Sequence, residues 1–310
     1  MRAVLVPRFG GPEVLEVGDI PERAPGPGEV RIRVAAAAVN PVDLAMRAGR
    51  FAMGDLPPPY ILGMELAGVV EAVGDGVDHT APGERVMAIV QPLRPEGGAQ
   101  AERVVVPADS VARAPAGLSL LAAATLPMNG LTVRRALDLL ALPAGATLWV
   151  TGGAGAVGGY AIESGRHAGL KVVAEALPDD ADLVRRLGAD IVVPRGEGSA
   201  QAVRAAVPTG VDAVIDGAVL GGAVVAAIRD GGQLAAVRRF RGATERGIRV
   251  HHVAVAEYAR HRQALEELGD MAAAGRLSPR IAATFPPGGA ADAHRRLEAG
   301  GVRGRLVIVF

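Results

Sequence analysis

The chain has 310 residues, of which 50% are hydrophobic and 21% charged, and its formal net charge at pH 7 is zero. This composition is typical of a globular protein long enough for two compact domains. A neutral chain lacks the basic surface that nucleic acids require, which argues against a nucleic-acid partner. No apolar run approaches the roughly 18 residues of a membrane span, and the start "MRAVLVPRFGG" lacks the apolar core of a signal peptide. We therefore expect a cytoplasmic protein without a membrane partner.

The counts of cysteine, lysine and histidine restrict the chemistry. The chain has no cysteine, which excludes disulfides, thiolate nucleophiles and cysteine-ligated zinc. Lys171 is the only lysine, so Schiff-base chemistry has almost no candidate. The six histidines show no metal-ligand spacing such as HExxH, and His251 and His252 are simply adjacent. We predict that the protein has no metal site.

Residues 1–117 contain short apolar segments separated by turns rich in glycine and proline. Short strands punctuated in this way indicate a compact domain that is mostly β. The strand-like segments are "AVLV", "VRIRVAAAAV", "LAGVVEAV", "RVMAIV" and "AERVVVP".

Residues 118–256 alternate between strand-like and helix-like segments, which predicts a parallel sheet wrapped by crossover helices. The strand-like segments are "TLWVTG", "KVVAEA", "DIVVP", "DAVIDG", "QLAAV" and "RVHHVAV". The helix-like segments are "AVGGYAIESGRHAG", "DDADLVRRLG", "AQAVRAAV" and "AVVAAIRD". Residues 257–310 predict a long helix over 257–275, a strand at "PRIAATF", a helix at "GAADAHRRLEAG" and a final strand at "GRLVIVF".

The stretch "LWVTGGAGAVGGY", residues 148–160, contains a glycine motif at the junction of a strand and a helix. Gly153, Gly155 and Gly158 form GxGxxG directly after the apolar strand. Glycine permits a tight turn, a close approach of the backbone to a pyrophosphate and close packing of helix on strand. The helix N-terminus then presents N–H groups to the phosphates. We predict a dinucleotide-binding loop made by Gly153, Ala154, Gly155, Ala156, Val157 and Gly158.

In addition, segments along nearly the whole chain resemble one family in the same order. They are "AAAAVNPVDLAMRAGRF", "LGMELAGVVEAVGDGV", "GERVMA", "AERVVVPAD", "TLPMNGLTVRRAL", "VTGGAGAVGG", "LGAD" and "GGVRGRLVIVF". The sequence resembles the medium-chain dehydrogenase/reductase superfamily, in its zinc-free quinone oxidoreductase (zeta-crystallin-like) branch. Zinc-dependent relatives carry a ligand histidine where "GME" places Met64.

This resemblance implies an α/β fold with two parts. A GroES-like, β-rich catalytic domain (1–117) is followed by a Rossmann doubly wound parallel-sheet domain (118–256), and a C-terminal segment (257–310) returns to the first. The family places its active site in the cleft between the two domains. It also implies a homodimer, a bound NADPH or NADH and a small-molecule enone or quinone substrate.

The resemblance also implies roles for individual residues. Asn40 is expected beside the nicotinamide and substrate, and Asn129 and Thr132 at the ribose and phosphates. The loop of Asp216, Gly217 and Ala218 is expected to border the nicotinamide. Alternative interpretations are that Asn40 before Pro41 only initiates a turn and that Thr132 is an ordinary helix residue. Asp43 and Arg47, at i,i+4 spacing, are compatible with a local ion pair.

Three positions depart from the family pattern. Phe51 stands where the family motif RxGxY has a tyrosine, which removes a hydroxyl from the substrate site. Glu175 lies 22 residues after Gly153, near the spacing of about 20 at which an acid bonds a free ribose 2′-OH, so it favours NADH. The family more often uses NADPH, whose 2′-phosphate Arg195 could reach. Finally, Arg238 and Arg239 stand where the family has a glycine beside the nicotinamide. They are either solvated surface charges or groups that bind an acidic or phenolate substrate or the cofactor phosphates.

Two functions follow from these observations. The first is a zinc-independent reductase that uses NADPH or NADH to reduce a quinone or the C=C bond of an α,β-unsaturated carbonyl, with a donor at Asn40 and no proton donor at Phe51. The alternative is a member that performs no net redox step, such as a cyclase, an isomerase or a nucleotide-binding regulator in a biosynthetic pathway. The intact glycine motif favours the first function, whereas the missing tyrosine and the altered phosphate pocket motivate the second.

Overall fold

The computed structural model describes residues 1–51 and 53–310, and these residues divide into two compact units. The first unit comprises Met1–Met128, Ala256–Ala273 and Pro279–Phe310. The second comprises Asn129–Val255 and Ala274–Ser278. The domain limits predicted from the sequence, 1–117, 118–256 and 257–310, remain predictions.

The first unit is built on two sheets, and its strands follow the apolar segments of the sequence. They are β1 (Arg2–Val6), β2 (Glu16–Asp19), β3 (Glu29–Val39), β4 (Tyr60–Ile61), β5 (Glu65–Val73), β6 (Arg85–Ile89), β7 (Arg103–Pro107) and β8 (Val111–Arg113). The helices of this part are α1 (Pro41–Arg47) and α2 (Leu120–Ala123). Alternating buried and exposed positions along β3 explain its one-sided core packing, in which Val30, Ile32 and Val34 are buried.

The second unit is a six-stranded sheet in which every strand pair is parallel. Its strands are β9 (Thr147–Val150), β10 (Lys171–Ala176), β11 (Ile191–Pro194), β12 (Val211–Asp216), β13 (Ile228–Ala236) and β14 (Arg249–His252). The helices are α3 (Pro127–Leu140, most of which lies in this unit), α4 (Ala156–His167), α5 (Ala181–Leu187) and α6 (Ser199–Ala206). Strands buried on both faces read as continuous apolar runs, as "TLWV" does.

The sheet order of the second unit is β11-β10-β9-β12-β13-β14. Counted from β9, this is the order 3-2-1-4-5-6 of a doubly wound dinucleotide-binding fold. The direction of the strand order reverses at β9, and ligands of such sheets bind outside the carboxyl ends of the strands at this point. The glycine motif therefore follows the strand where the topology predicts a ligand.

The C-terminal residues complete the first unit with α7 (Arg262–Ala273), β15 (Ile281–Phe285), α8 (Ala290–Glu298) and β16 (Arg305–Val309). β16 pairs with β3, so the order of the larger sheet is β15-β16-β3-β5-β6-β8, and β7 pairs with β3 as well. The smaller sheet has the order β2-β1-β4. The predicted return of the final strand to the β-rich part is thus present in the sheet pairing.

Two predicted helices differ from the structure. The segment "AVVAAIRD" is not an α-helix, because Gly221–Ala227 forms a 3₁₀ helix and Ile228 already begins β13. The glycine pair 221–222 and the β-branched Val224 and Val225 weaken α-helical propensity there. The helix predicted over 257–275 is shorter, since Val255–Tyr258 is a separate 3₁₀ turn and α7 begins at Arg262.

The predicted fold class is confirmed: the protein is α/β, with a GroES-like β-rich part and a Rossmann-type parallel sheet. Among the described residues, no helix combines the length and apolarity that a membrane span requires.

Candidate functional site

The glycine loop joins β9 to α4, as the sequence predicts. All six predicted residues, 153–158, lie in the turn after Val150 or in the first turn of α4. Gly152 has a φ of +64°, which a residue with a side chain rarely adopts. A Cβ added at Gly158 would collide with the carbonyl oxygen of Gly152, and one at Gly153 would lie 3.1 Å from the carbonyl oxygen of Glu175. The close approach of loop and helix therefore requires glycine at residue 158.

The N-terminus of α4 faces this turn without a side-chain cap. Gly155 is the N-cap residue in an extended conformation, and no side-chain hydrogen bond caps the helix. The first-turn amides of a helix have no acceptor within it, and the aligned peptide dipoles add partial positive charge at this end. α4 extends over 12 residues, and the loop packs closely on its first turn. This arrangement fits the pyrophosphate of a dinucleotide.

Glu175 lies at the end of β10, but its side chain faces the glycine loop from inside the fold. It is 1% exposed, and Oε1 accepts a hydrogen bond of 3.0 Å from the N–H of Gly152. Burial raises the pKa of this carboxyl, while the N–H of Gly152 and the charge of Arg195 oppose the rise. The carboxyl thus supports the glycine loop directly, and its expected contact with a ribose 2′-OH stays a prediction.

Arg195 directly follows β11, beside the end of β10. Its backbone N–H donates to the carbonyl of Ala176 at 3.0 Å, and its side chain is exposed. The ribose of the adenosine lies near the end of the second strand in dinucleotide-binding folds, and an arginine nearby accommodates a 2′-phosphate. Arg195 therefore lies where an arginine can accommodate the 2′-phosphate of NADPH.

The turn after β12 is tied to the end of β9 by hydrogen bonds. Asp216 is buried and accepts from the Thr151 hydroxyl at 2.7 Å and from the N–H groups of Leu220 and Gly221. The Thr151 hydroxyl in turn accepts from the N–H of Ala218 at 2.9 Å. The Asp216 carboxylate is thus committed to holding this turn, and the half-buried residues 217 and 218 form the part that can face a ligand.

Asn129 and Thr132 lie one turn apart on α3 and are 5% and 7% exposed. The Nδ2 of Asn129 is buried and has no hydrogen-bond partner within residues 1–51 and 53–310. A buried amide donor without an acceptor costs free energy unless a water or ligand supplies one. This orphan donor is compatible with the predicted cofactor role of Asn129.

Asn40 belongs to a buried polar network in the first unit. Asn40 follows β3, Glu65 begins β5 and Arg305 begins β16, so adjacent strands of one sheet bring the three together. The Asn40 Nδ2 donates to Glu65 Oε1 at 3.2 Å, and its Oδ1 accepts from Arg305 Nη2 at 2.8 Å. Arg305 forms a close ion pair with Glu65, and all three side chains are at most 5% exposed. We call Asn40, Glu65, Arg305 and the adjacent Asp43 the buried network.

Burial shifts both carboxyl groups of the network toward the protonated form. Desolvation raises the pKa of Asp43 to about 7. The N–H groups of Asn40 and Gly63 donate hydrogen bonds of 2.8 and 3.0 Å to this carboxylate, and these bonds limit the rise in its pKa. Desolvation also raises the pKa of Glu65, while the charge of Arg305 and the N–H of Met128 oppose it. One arginine therefore compensates two buried acids, and protonation of Asp43 relieves the excess negative charge.

The network limits what Asn40 presents to a ligand. Asn40 is 1% exposed, its oxygen is held by Arg305, and one N–H of its amide is held by Glu65. The second N–H makes only a long contact of 3.5 Å with the carbonyl of Ala38. Asn40 can therefore donate a hydrogen bond to a substrate only if its second N–H leaves the carbonyl of Ala38.

The local ion pair considered between Asp43 and Arg47 is not present. The Asp43 carboxylate accepts from the N–H groups of Asn40 and Gly63, since it lies in the first turn of α1. Arg47 is buried and contacts His294 and Glu298 of α8 instead. Phe51, the other predicted catalytic position, is 42% exposed.

No group of three or more histidine, cysteine, aspartate or glutamate side chains among the described residues could hold a metal ion. Met64, at the place of the ligand histidine in zinc-dependent relatives, precedes Glu65 at the start of β5. Sequence patterns missed Arg305, which meets Asn40 across 265 positions of the chain. The only signal was its place at the start of the final apolar strand.

Comparison with known proteins agrees with both units. Residues 26–116 match the family described as alcohol dehydrogenase GroES-like domain, and residues 187–308 match that described as zinc-binding dehydrogenase. The chain is 30% identical to the chloroplastic NADPH-dependent alkenal/one oxidoreductase of Arabidopsis thaliana over 319 aligned positions. The alignment covers 99% of this chain and 79% of the relative.

Two solved structures have the same fold over their whole length. A crystal structure of an NAD-dependent alcohol dehydrogenase has a TM-score of 0.89 at 31% identity, covering 100% of both chains. A quinone oxidoreductase from Pseudomonas syringae pv. Tomato DC3000 has a TM-score of 0.88 at 27% identity, covering 100% of this chain and 99% of that one. The chain belongs to the medium-chain dehydrogenase/reductase superfamily, in its quinone oxidoreductase branch. The predicted family is confirmed.

Proposed function

We propose that this protein is a zinc-independent reductase that uses NADPH, and less efficiently NADH, to reduce a quinone or the C=C bond of an α,β-unsaturated carbonyl. The observation that carries the proposal is the glycine loop, in which Gly158 allows α4 to begin against the carbonyl of Gly152. The names of the Arabidopsis alkenal/one oxidoreductase and the Pseudomonas quinone oxidoreductase support the two substrate classes.

The nicotinamide cofactor, when bound, supplies a hydride, and residues of the second unit hold it. The N-terminal amides of α4 bind the pyrophosphate. Arg195, exposed beside the end of β10, binds the 2′-phosphate of NADPH. Glu175 supports the loop from below through the N–H of Gly152, and the orphan amide of Asn129 donates to the cofactor. Thr132 is proposed to contact the cofactor, and residues 216–218 to border the nicotinamide.

Residues of the first unit stabilise the charge that develops on the substrate oxygen. We assign this role to the Nδ2 of Asn40, whose second N–H can exchange its 3.5 Å contact with Ala38 for a carbonyl oxygen. Glu65 and Arg305 fix the orientation of the amide. The proton comes from water, since Phe51 has no hydroxyl to donate it. A side-chain nucleophile is not required, and the chain offers no cysteine and one lysine.

The family resemblance extends the proposal to the state of the protein in the cell, where we propose a homodimer in the cytoplasm. Light scattering behind a sizing column tests the dimer, and fractionation of cells tests the location.

Oxidation of NADPH by purified protein, measured with a panel of quinones and enones, tests the function. We expect turnover with at least one class. Asn40→Ala is expected to lower kcat by about 10²–10³ and to leave the Kd of NADPH unchanged. If no acceptor oxidises NADPH, the proposal is wrong; if Asn40→Ala reduces the panel at the original rate, the assigned donor is wrong.

A further inference from the structure

A cavity opens at the carboxyl ends of β13 and β14 in the second unit. It is wide open to solvent, and its volume is about 480 Å³. Ala236, the last residue of β13, pairs with His252, the last residue of β14, so the two strand ends form its floor. The cavity is lined by Ala236, Val237, Arg238, Arg239, His252 and Val253.

The ionisable side chains of this lining are basic, and the two guanidinium groups are unpaired. Arg238 and Arg239 are exposed, and neither makes an ion pair or a side-chain hydrogen bond with any described residue. Near the opposite end of the same strands, Arg229 pairs with Asp212 at 2.7 Å and Arg246 with Asp230 at 3.0 Å, whereas Arg249, the first residue of β14, pairs with none of the described acids. The carboxyl end of β13 therefore concentrates positive charge that the protein itself does not neutralise.

The sheet order relates this cavity to the glycine loop. Neighbouring strands lie about 4.8 Å apart, so the ends of β13 and β14 are roughly 10 and 14 Å from the end of β9. β10 and β11, with Arg195, lie on the other side of β9. The adenosine end of a dinucleotide extends toward the second strand, here β10, so the nicotinamide end extends toward β12 and β13. The cavity thus lies on the side of the reacting end.

We propose that Arg238 and Arg239 bind the carboxylate of an acidic substrate, an α,β-unsaturated carbonyl compound with a free carboxyl group. This inference rests on the proposed function. A guanidinium matches a carboxylate with two parallel N–H···O bonds, and the ring N–H of His252 can add a third donor. Hydride adds to one carbon of the C=C bond and a proton from water to the other. The double bond becomes single, the cofactor loses two electrons, and the bound carboxylate is unchanged.

A matched pair of substrates isolates the charge of the carboxylate. We use (E)-4-oxo-2-pentenoate and its methyl ester, which share the activated C=C bond, with wild-type protein, the double variant Arg238→Gln/Arg239→Gln and the control Arg241→Gln. Arg241 is exposed, carries the same charge and does not line the cavity. We expect the double variant to raise the KM of the acid about tenfold or more, the loss of about 1.4 kcal/mol of binding. The KM of the ester and the Kd of NADPH stay unchanged, as do all values in Arg241→Gln.

Calorimetry of 4-oxo-2-pentenoate binding to the protein with NADP⁺ separates this proposal from the proposed function. If neither compound is reduced but wild-type protein binds the acid and the double variant does not, the reductase function is wrong and the carboxylate site stands. Equal changes for acid and ester, an equal effect of Arg241→Gln, or no binding of the acid by wild-type protein contradicts the site. A loss of NADPH affinity with NADH affinity unchanged would assign the arginines to the 2′-phosphate and overturn the proposal.

Discussion

Gly158, in the first turn of α4, packs against the carbonyl group of Gly152 so closely that a Cβ at residue 158 would collide with its oxygen. The contact fixes the distance between the loop and the helix N-terminus, where the cofactor phosphates are proposed to bind. Backbone cannot move away as a flexible side chain can, so this approach depends on the missing side chain.

We predict that Gly158→Ala weakens NADPH binding at least about tenfold, because α4 must move by about 1 Å to clear the carbonyl oxygen of Gly152, and this movement misaligns its N-terminal amides. Calorimetry measures the Kd, and circular dichroism verifies the fold. Gly222→Ala is the matched control, since residue 222 has an ordinary φ and no atom within 4 Å of an added Cβ. If Gly158→Ala and wild type bind NADPH with equal affinity, the glycine loop does not bind the cofactor phosphates.

Arg195 is predicted to determine the preference for NADPH. Replacement by glutamine removes the charge that is proposed to bind the 2′-phosphate, so Arg195→Gln should weaken NADPH binding about tenfold or more and change NADH binding little. Arg186→Gln, an exposed change on α5 in the same unit, controls for net charge. Parallel losses for both cofactors would show that Arg195 does not contact the 2′-phosphate.

Glu175 distinguishes two ways in which an acid near the glycine loop can act. Because its carboxyl is buried and bonded to the N–H of Gly152, Glu175→Ala should weaken NADPH and NADH by the same factor. Direct contact with a ribose 2′-OH would instead make the variant lose NADH affinity selectively. The ratio of the two Kd values decides between them, and Glu175→Gln, which retains an acceptor for Gly152, should weaken both cofactors less than Glu175→Ala.

Asp43 is predicted to make stability depend on pH. Its pKa of about 7 in the folded state lies above the value of about 3.9 for an unfolded chain. The folded state then holds the proton more tightly, so the contribution of Asp43 is most favourable below pH 4 and is lost as the pH rises to about 7. The slope approaches about 1.4 kcal/mol per pH unit.

Urea unfolding of wild-type protein and Asp43→Asn across this range measures the effect. The free energy of unfolding of wild-type protein minus that of Asp43→Asn should decline from pH 4 to 7 and level off above pH 7. The exposed Asp182 provides the control variant Asp182→Asn, whose difference from wild type should not change with pH in this way. A difference that stays constant between pH 4 and 7 would show that Asp43 is already ionised in the folded protein across this range.

Most of the fold follows from local patterns. Apolar runs bounded by glycine and proline mark β3, β5 and β9, and the strand, glycine motif and helix of residues 148–160 predict the loop that the structure contains. These features depend on neighbours in the sequence, which is why one sequence suffices to find them.

The orientation of side chains and long-range contacts does not follow from such patterns. The spacing from Gly153 to Glu175 identifies the correct strand end, but successive residues of a strand face opposite sides, and Glu175 faces inward. The spacing of Asp43 and Arg47 suggests an ion pair, yet Arg47 contacts residues of α8. Arg305 reaches Asn40 only because β16 pairs with β3.

The transfer of deuterium from the cofactor to the substrate distinguishes a reductase from a protein that performs no net redox step. Wild-type protein is incubated with an enone and with NADPH that carries deuterium on one face of C4 of the nicotinamide, in separate reactions for the two faces, and the product is analysed by mass spectrometry and NMR. We expect one deuterium on the β-carbon of the saturated product from one labelled face only, and a solvent proton on the neighbouring carbon. A product without deuterium from either face, or no oxidation of NADPH with any acceptor of the panel, would contradict it.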